Sequence, residues 1–296
     1  MRIGIDWGGT KIEAIALDEN SEHLFRERVP TRKDDYHGCL KAVKDLVDRI
    51  ETQTARTGTV GMGIPGTISP ATGLVKNSNS VWMNGQSLLE DMETILDREV
   101  RIQNDANCFA VSEAVDGAGA GNHVVSGIII GTGCGSGIAI GGKAWTGHQG
   151  IAGEFGHTAL SPLHESEYPG NVCWCGRKTC LETYLSGTGF ALEHQQRTGA
   201  RERLPAEEIL ASNTYSARET YRIYCDRLAR GLAMLINILD PDVVVLGGGM
   251  SNVETLYKDV PPLLSRYVFS DVFDTPIVKA RFGDSSGVRG AAWLWN

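Results

Sequence analysis

The sequence predicts an α/β protein built in two halves, and three observations carry that expectation. Residues 128–142, IIIGTGCGSGIAIGG, read as a buried strand, a turn with Gly at every second position and a returning strand. Residues 3–17, IGIDWGGTKIEAIAL, repeat the arrangement about half a chain earlier. Elsewhere short apolar runs alternate with stretches of helical period, as strands and helices do in layered α/β folds.

Both Gly turns suggest ligand sites. Glycine loses more backbone entropy on folding than any other residue, so a Gly-dense turn needs a reason. Close approach of an anion supplies one, because N–H groups converging on a concave turn bind phosphate. A tight hairpin without ligand is the plain alternative for either turn taken alone. The first turn, 6–11, adds a carboxylate on Asp6, a hydroxyl on Thr10 and a cation on Lys11. A third run, Gly247-Gly248-Gly249, follows the continuous apolar stretch 243–246, the pattern of a strand buried on both faces. Open α/β sheets bind ligands at such strand ends.

The remaining elements follow in order. Residues 22–29 give a third strand, and Tyr36, Leu40, Val43, Val47 and Ile50 mark an amphipathic helix over 35–55. Strand 59–64 ends at Pro65-Gly66. The run 61–66 matches GxGxxG, but TISPATG after it reads as turn and not as the helix a dinucleotide site requires. A polar loop at 77–85 and a helix at 86–96 precede a short strand, 100–103, which delivers Asn104-Asp105-Ala106-Asn107 to a helix ending near 116. GAGAG at 117–121 reads as a linker. It divides a small α/β domain, 1–117, rejoined by a closing helix at 285–296, from a large α/β domain, 118–284. Within the latter, 147–170 is irregular, helices are expected at 182–196, 205–212 and 216–239, and a strand near Ile277. Residues 137–143 have P-loop spacing, yet Ala144 stands where Ser or Thr must hold Mg²⁺, and no helix follows.

Composition narrows the class. The 296 residues are 42% hydrophobic and 22% charged, as in ordinary globular proteins. A net charge of −8 argues against a broad nucleic-acid surface. MRIGID enters a strand at once, without a signal-peptide pattern, and no apolar run has membrane-span length, so a cytoplasmic protein is expected. Seven cysteines, an odd number, argue against a disulfide framework.

Three constellations carry chemistry. Asp105 at a strand-to-helix junction fits either an N-cap or a general base for transfer of a phosphoryl group to an alcohol. Asn104 and Asn107 beside it suit recognition of hydroxyls. His157, Cys173, Cys175 and Cys180 offer one nitrogen and three sulfurs, a set typical of structural Zn²⁺ with no open position; reduced structural cysteines are the alternative. Glu154 and Glu182 flank that cluster, where a metal-fixed backbone would let them grip vicinal hydroxyls.

Together these motifs resemble the ROK sugar kinases of the actin/hexokinase/Hsp70 superfamily, over essentially the whole chain. The resemblance implies a two-domain actin/hexokinase-like (ribonuclease H-like) fold with duplicated β-hairpin phosphate turns and a zinc knuckle. It implies that Asp6, Gly8, Gly9, Thr10 and Lys11, with Gly131, Thr132, Gly133, Cys134 and Gly135, hold the phosphates of Mg²⁺-ATP. Gly247, Gly248 and Gly249 correspond to the adenosine region. Asp105 matches the catalytic base. Gly66, Asn79, Asn104, Asp105, Glu154, His157 and Glu182 match sugar contacts, and His157, Cys173, Cys175 and Cys180 the structural Zn²⁺ ligands. Trp7, where an apolar residue such as Leu is more usual, and Cys134 within a phosphate turn are the departures. GMGIPGTISPATGLVKNSNSVWMNGQ, NDANCFAVSEAVDGAGAG and GDSSGVRGAAWLW bring the chain nearest to the manno(fructo)kinase branch. The expected activity is therefore ATP-dependent phosphorylation of the 6-hydroxyl of fructose, with mannose as a further substrate. A glucokinase or N-acetylhexosamine kinase is the alternative, and a sugar-responsive regulator the alternative from another class. A regulator of this family carries a winged helix ahead of the first phosphate turn, for which a chain with Asp6 as its sixth residue leaves no room. A homodimer is expected from the family, with no nucleic acid and no membrane as partner.

Overall fold

The computed structural model describes all residues, 1–296. In chain order the elements are β1 (Arg2–Trp7), β2 (Lys11–Leu17), β3 (His23–Pro30), α1 (Tyr36–Thr54), β4 (Thr59–Ile64), the short pair β5 (Thr67–Ile68) and β6 (Val75–Lys76), α2 (Leu88–Leu96), β7 (Val100–Asn104) and α3 (Asp105–Val115). They continue with β8 (Val124–Ile130), β9 (Cys134–Ile140), β10 (Lys143–Ala144), α4 (Glu182–Leu185), α5 (Gly187–Thr198), α6 (Ala206–Ser212) and α7 (Tyr215–Leu239). The last are β11 (Val243–Gly247), α8 (Leu256–Asp259), α9 (Pro261–Leu264), β12 (Ile277–Lys279) and α10 (Ser286–Ala292). No helix is long and apolar enough to cross a membrane.

Two compact units result. The first comprises Met1–Val125, Gly137–Gly153 and Arg281–Asn296, and the second Ser126–Ser136 and Glu154–Ala280. This differs from a single boundary at 117/118. GAGAG is a tight turn rather than a linker, because buried Glu113 accepts from the backbone of Ala118 at 2.8 Å and so holds it against α3.

The sheet of the first unit runs β3–β2–β1–β4–β7, with β1 antiparallel to β2 and parallel to β4, and β4 parallel to β7. Register sets Asp6 opposite Gly63 and Ile64 opposite Asn104. The C-terminal ends of three parallel strands therefore place Asp6, the Pro65-Gly66 turn and Asn104-Asp105 along one edge, the ligand edge of an open α/β sheet. Trp7 is fully buried, stacked on Tyr36 of α1 with ring centroids 6.2 Å apart and tilted against Trp82 at 6.1 Å. The unusual residue thus fills the core under the first turn, where its large apolar area stabilises the unit.

Helix α10 lies against β1, β4 and α3 with main chains in contact. A Cβ at Gly61 would overlap the Ala291 carbonyl, and one at Gly290 the Cys108 carbonyl, so only Gly permits this spacing. Glu113 completes the clamp by accepting from Ser286 Oγ at 2.7 Å and Arg281 N at 3.1 Å. The helix that begins with Asp105 is thereby fixed along its length.

In the second unit the long α7 packs on a core that includes Leu185, Phe190, Leu228, Leu232 and Leu246. The second sheet is ordered β10–β9–β8–β11–β12. The irregular stretch after β10 is anchored by Glu167, which pairs with Arg230 at 2.7 Å and Arg227 at 2.8 Å. Burial alone would raise that carboxyl, but hydrogen bonds from Arg230 and Arg227 hold it down to about 2.

Two predicted elements are corrected. The helix expected over 182–196 is broken at Ser186, whose hydroxyl caps α5 by accepting from Gly189 N at 3.0 Å. The second Gly turn is shorter than expected, because β9 already begins at Cys134. Gly135 and Gly137 lie in the strand, and a Cβ at Gly137 would overlap the Ala106 carbonyl of α3. Close helix packing explains that glycine.

Candidate functional site

In the first unit the site is built on the ends of β1, β4 and β7. The Thr31 hydroxyl donates to Gly8 O at 2.7 Å and the Thr31 amide to Thr10 O at 3.0 Å, which ties the turn's carbonyls to the residue that follows β3. The N–H groups of Gly9 and Thr10 make no hydrogen bond within the chain and remain available to an anion. Beneath the turn, fully buried Glu13 meets Arg26 at 2.7 Å, Arg28 at 2.8 Å and Lys11 at 3.7 Å. Asp6, next to Glu13 across the β1–β2 ladder, is raised to about 7 by burial and then by the charges of Asp105 and Glu13.

The capping question at α3 resolves onto its neighbour. Asn104 is the N-cap, and its side-chain oxygen accepts from Ala106 N at 3.0 Å and Asn107 N at 3.4 Å. Its amide donates to Gly66 O at 3.1 Å, which joins β7 to the turn after β4. Asp105 is the first helical residue and exposed; one of its oxygens accepts from Ala106 N at 2.8 Å. Asn107 is buried and donates to Gln103 at 3.2 Å, so it supports the helix start rather than facing a ligand. Asn79 is exposed on a loop held by Asn84, which accepts from Ser78 N at 2.9 Å and donates to Ser78 O at 3.0 Å.

In the second unit the turn between β8 and β9 is braced from α4 and α5. Gly187 N donates to Gly131 O at 2.8 Å, and the Thr188 hydroxyl to Thr132 O at 2.8 Å. The break at Ser186 is what directs these donors at the turn. Beside it lies a cavity of about 770 Å³ lined by Thr132, Thr188, Leu204, Leu210, Met250 and Val253 among others, and reached by Gly249 but not by Gly247 or Gly248. Its apolar walls suit a flat heterocycle with phosphates toward Gly131. Thr188, Leu204 and Leu210 were missed by the sequence reading, since nothing in their local pattern distinguishes them from ordinary helix and loop residues.

His157, Cys173, Cys175 and Cys180 lie together. Nδ1 of His157 and the sulfurs of Cys173, Cys175 and Cys180 all lie within 4.8 Å of one another. Cys175 Sγ is 3.7 Å from Cys180 Sγ, and Cys173 Sγ is 3.6 Å from His157 Nδ1. Tetrahedral Zn²⁺ with bonds of about 2.3 Å to sulfur and about 2.0 Å to nitrogen requires separations of roughly 3.5–3.8 Å. The donor set and these two separations fit zinc. Gly176, with φ of +86°, makes the reversal between ligands, and the Arg177 backbone N–H holds the Cys175 thiol down to about 6. Glu182 begins α4 directly after this loop, and Glu154 immediately precedes the short 3₁₀ turn Phe155–His157.

A strand–turn–strand hairpin in each unit, with the cavity beside the turn of the second, is the architecture of an actin/hexokinase-like α/β fold. The ROK family pattern spans residues 2–296, and the chain belongs to the ROK family. It is 41% identical to the N-acetyl-D-glucosamine kinase of Haemophilus influenzae (strain 86-028NP), covering 100% of this chain and 99% of that protein. The N-acetyl-D-glucosamine kinase of Yersinia pseudotuberculosis serotype O:1b (strain IP 31758) is 40% identical over 99% of this chain and 98% of its own. Among solved structures, a ROK hexokinase from Thermus thermophilus superposes with a TM-score of 0.87 at 28% identity, covering 99% of this chain and 97% of that one. A ROK glucokinase from Streptomyces griseus, in complex with glucose and AMPPNP, gives 0.79 at 29% identity over 99% and 98%.

The expected class, an ATP-dependent sugar kinase of this family, is upheld. The expected substrate is corrected: the full-length relatives at 40–41% identity are N-acetyl-D-glucosamine kinases, so fructose is not supported. The segments behind the branch expectation include the Asn104-Asp105 junction, the Gly66 turn and the α10 contacts with β4 and α3, whose hydrogen bonds and close packing build the scaffold of the first unit.

Proposed function

We propose that this chain transfers the γ-phosphoryl group of ATP to the primary hydroxyl of N-acetyl-D-glucosamine. The observation that carries this reading is the 41% identity to N-acetyl-D-glucosamine kinases along the entire chain. Asp105 is the general base. It is exposed at the ligand edge of the sheet, at the start of a helix whose N-cap is Asn104, where a carboxylate can accept the hydroxyl proton as the new P–O bond forms. In the first unit Asn104, Asn79 and Gly66 are assigned to sugar recognition; in the second unit Glu154, His157 and Glu182 are read as hydroxyl-binding groups.

In the first unit the open N–H groups of Gly9 and Thr10 suit phosphate oxygens, with Lys11 adding charge; in the second unit those of Thr132 and Gly133 are open in the same way. Asp6 suits Mg²⁺, a hard cation that prefers carboxylate and water oxygens. A carboxyl raised by burial and a neighbouring acid is one whose ionised form a cation restores. Mg²⁺ supplies charge neutralisation on the transferring phosphate. Zn²⁺ on His157, Cys173, Cys175 and Cys180 is structural and fixes the loop that leads into Glu182.

The test is ADP release from Mg-ATP with N-acetyl-D-glucosamine, N-acetyl-D-mannosamine, glucose, mannose and fructose in parallel. The expected result is the highest kcat/KM with N-acetyl-D-glucosamine. A higher kcat/KM with an unacetylated hexose overturns the substrate while leaving the kinase in place.

A further inference from the structure

Glu182 holds two structures at once. Its Oε1 accepts from the indole N–H of Trp174, inside the metal loop, at 2.8 Å. Its Oε2 accepts from the Cys134 N–H, at the end of the turn between β8 and β9, at 3.1 Å. The N–H groups of Thr132 and Gly133 on the same turn have no partner within the chain. One of the turn's donors is therefore taken by a carboxylate while its neighbours stand open. A Cβ at Gly133 would sit 2.9 Å from that carboxylate oxygen, so the acid lies directly against the turn's main chain. A phosphate oxygen cannot share the position, and a triphosphate would meet the charge as well.

We propose that Glu182 couples the two substrates of the kinase. Sugar hydroxyls draw its carboxylate away from Cys134, and the freed N–H passes to a phosphate oxygen of ATP. Trp174 is the counterweight: 70% exposed and edge-on to His157 at 5.1 Å between ring centroids, it anchors the other carboxylate oxygen to the metal loop. Without sugar the turn binds triphosphate weakly, which limits loss of ATP to water. By linkage, bound ATP strengthens sugar binding by the same factor. This inference rests on the reading of Glu182 as a sugar contact and of 131–135 as a phosphate turn.

The experiment is calorimetric titration of the full chain with Mg-AMPPNP in the absence of sugar, comparing wild type, Glu182→Ala and Glu182→Asp. Asp keeps the charge but is one methylene too short to hold Cys134, so it separates loss of the bond from loss of charge. Both variants are expected to bind the analogue about tenfold more tightly than wild type, the order of one charge-assisted hydrogen bond. Saturating sugar, taken as the best substrate in the parallel assay, is expected to tighten wild type by a similar factor and to leave both variants unchanged. Unchanged or weaker binding by the variants, with binding by wild type intact, overturns the coupling alone. No binding by any of the three overturns the phosphate turn itself and the coupling with it.

Discussion

Replacing Asp6 by Asn should make the protein more stable and inactive, and the gain should depend on pH in a defined way. Asp6 is raised from the ordinary 3.8 to about 7 by burial, then by the charges of Asp105 and Glu13, with Lys11 and Arg28 opposing. Between about pH 4 and about pH 7 the folded chain therefore holds a proton that the unfolded chain has released. Stability contributed by this group falls as the pH rises through that window and is lost above it. The rise from 3.8 to about 7, at about 1.4 kcal/mol for each tenfold change in proton affinity, bounds the effect at ~4 kcal/mol, and solvent access to the partly exposed carboxyl lowers it to about 2 kcal/mol. Asn keeps the shape without the charge. Urea unfolding of wild type and Asp6→Asn at pH 5 and pH 8 is the assay. The variant should exceed wild type by about 2 kcal/mol more at pH 8 than at pH 5, and its phosphoryl transfer should be lost. An equal difference at both pH values refutes the electrostatic strain assigned to Asp6.

Other perturbations separate structure from chemistry. Asn104→Ala removes the α3 cap and should cost about 1 kcal/mol, read as a lowered unfolding midpoint. Asn104→Asp retains the cap oxygen and should recover that stability while losing the bond to Gly66, so KM for sugar should still rise. Gly137→Ala forces β9 and α3 apart and should destabilise by about 1–3 kcal/mol, with a fall in kcat as Asp105 is displaced. Metal analysis should find about one zinc per chain; Cys175→Ser should lose it and melt at lower temperature, and unchanged zinc content would refute the ligand set.

Much of the scaffold was legible because its signals are local. The period of Tyr36, Leu40, Val43, Val47 and Ile50 placed α1, and the cluster at 173–180 with His157 gathered as its spacing implied. What failed depended on tertiary contact. Gly137 reads as turn in sequence, but it is Gly because α3 touches it. The break at Ser186 lies within a plausible helical stretch and exists to direct Gly187 and Thr188 at the phosphate turn. Glu113 is a charged residue on an apolar helix, and only the fold reveals that it fastens GAGAG and α10 to α3. Substrate identity was misread for a related reason: motifs for phosphate, base and metal are strong in sequence, whereas the walls that distinguish one hexose from another are not.

The central claim is that Asp105 removes the proton of the accepting hydroxyl. Phosphorylation of N-acetyl-D-glucosamine by Asp105→Asn, measured beside its calorimetric affinity for the sugar, tests it most directly. The account predicts a kcat lower by about 10²–10⁴-fold with sugar affinity within a few-fold of wild type. A kcat near that of wild type would contradict it.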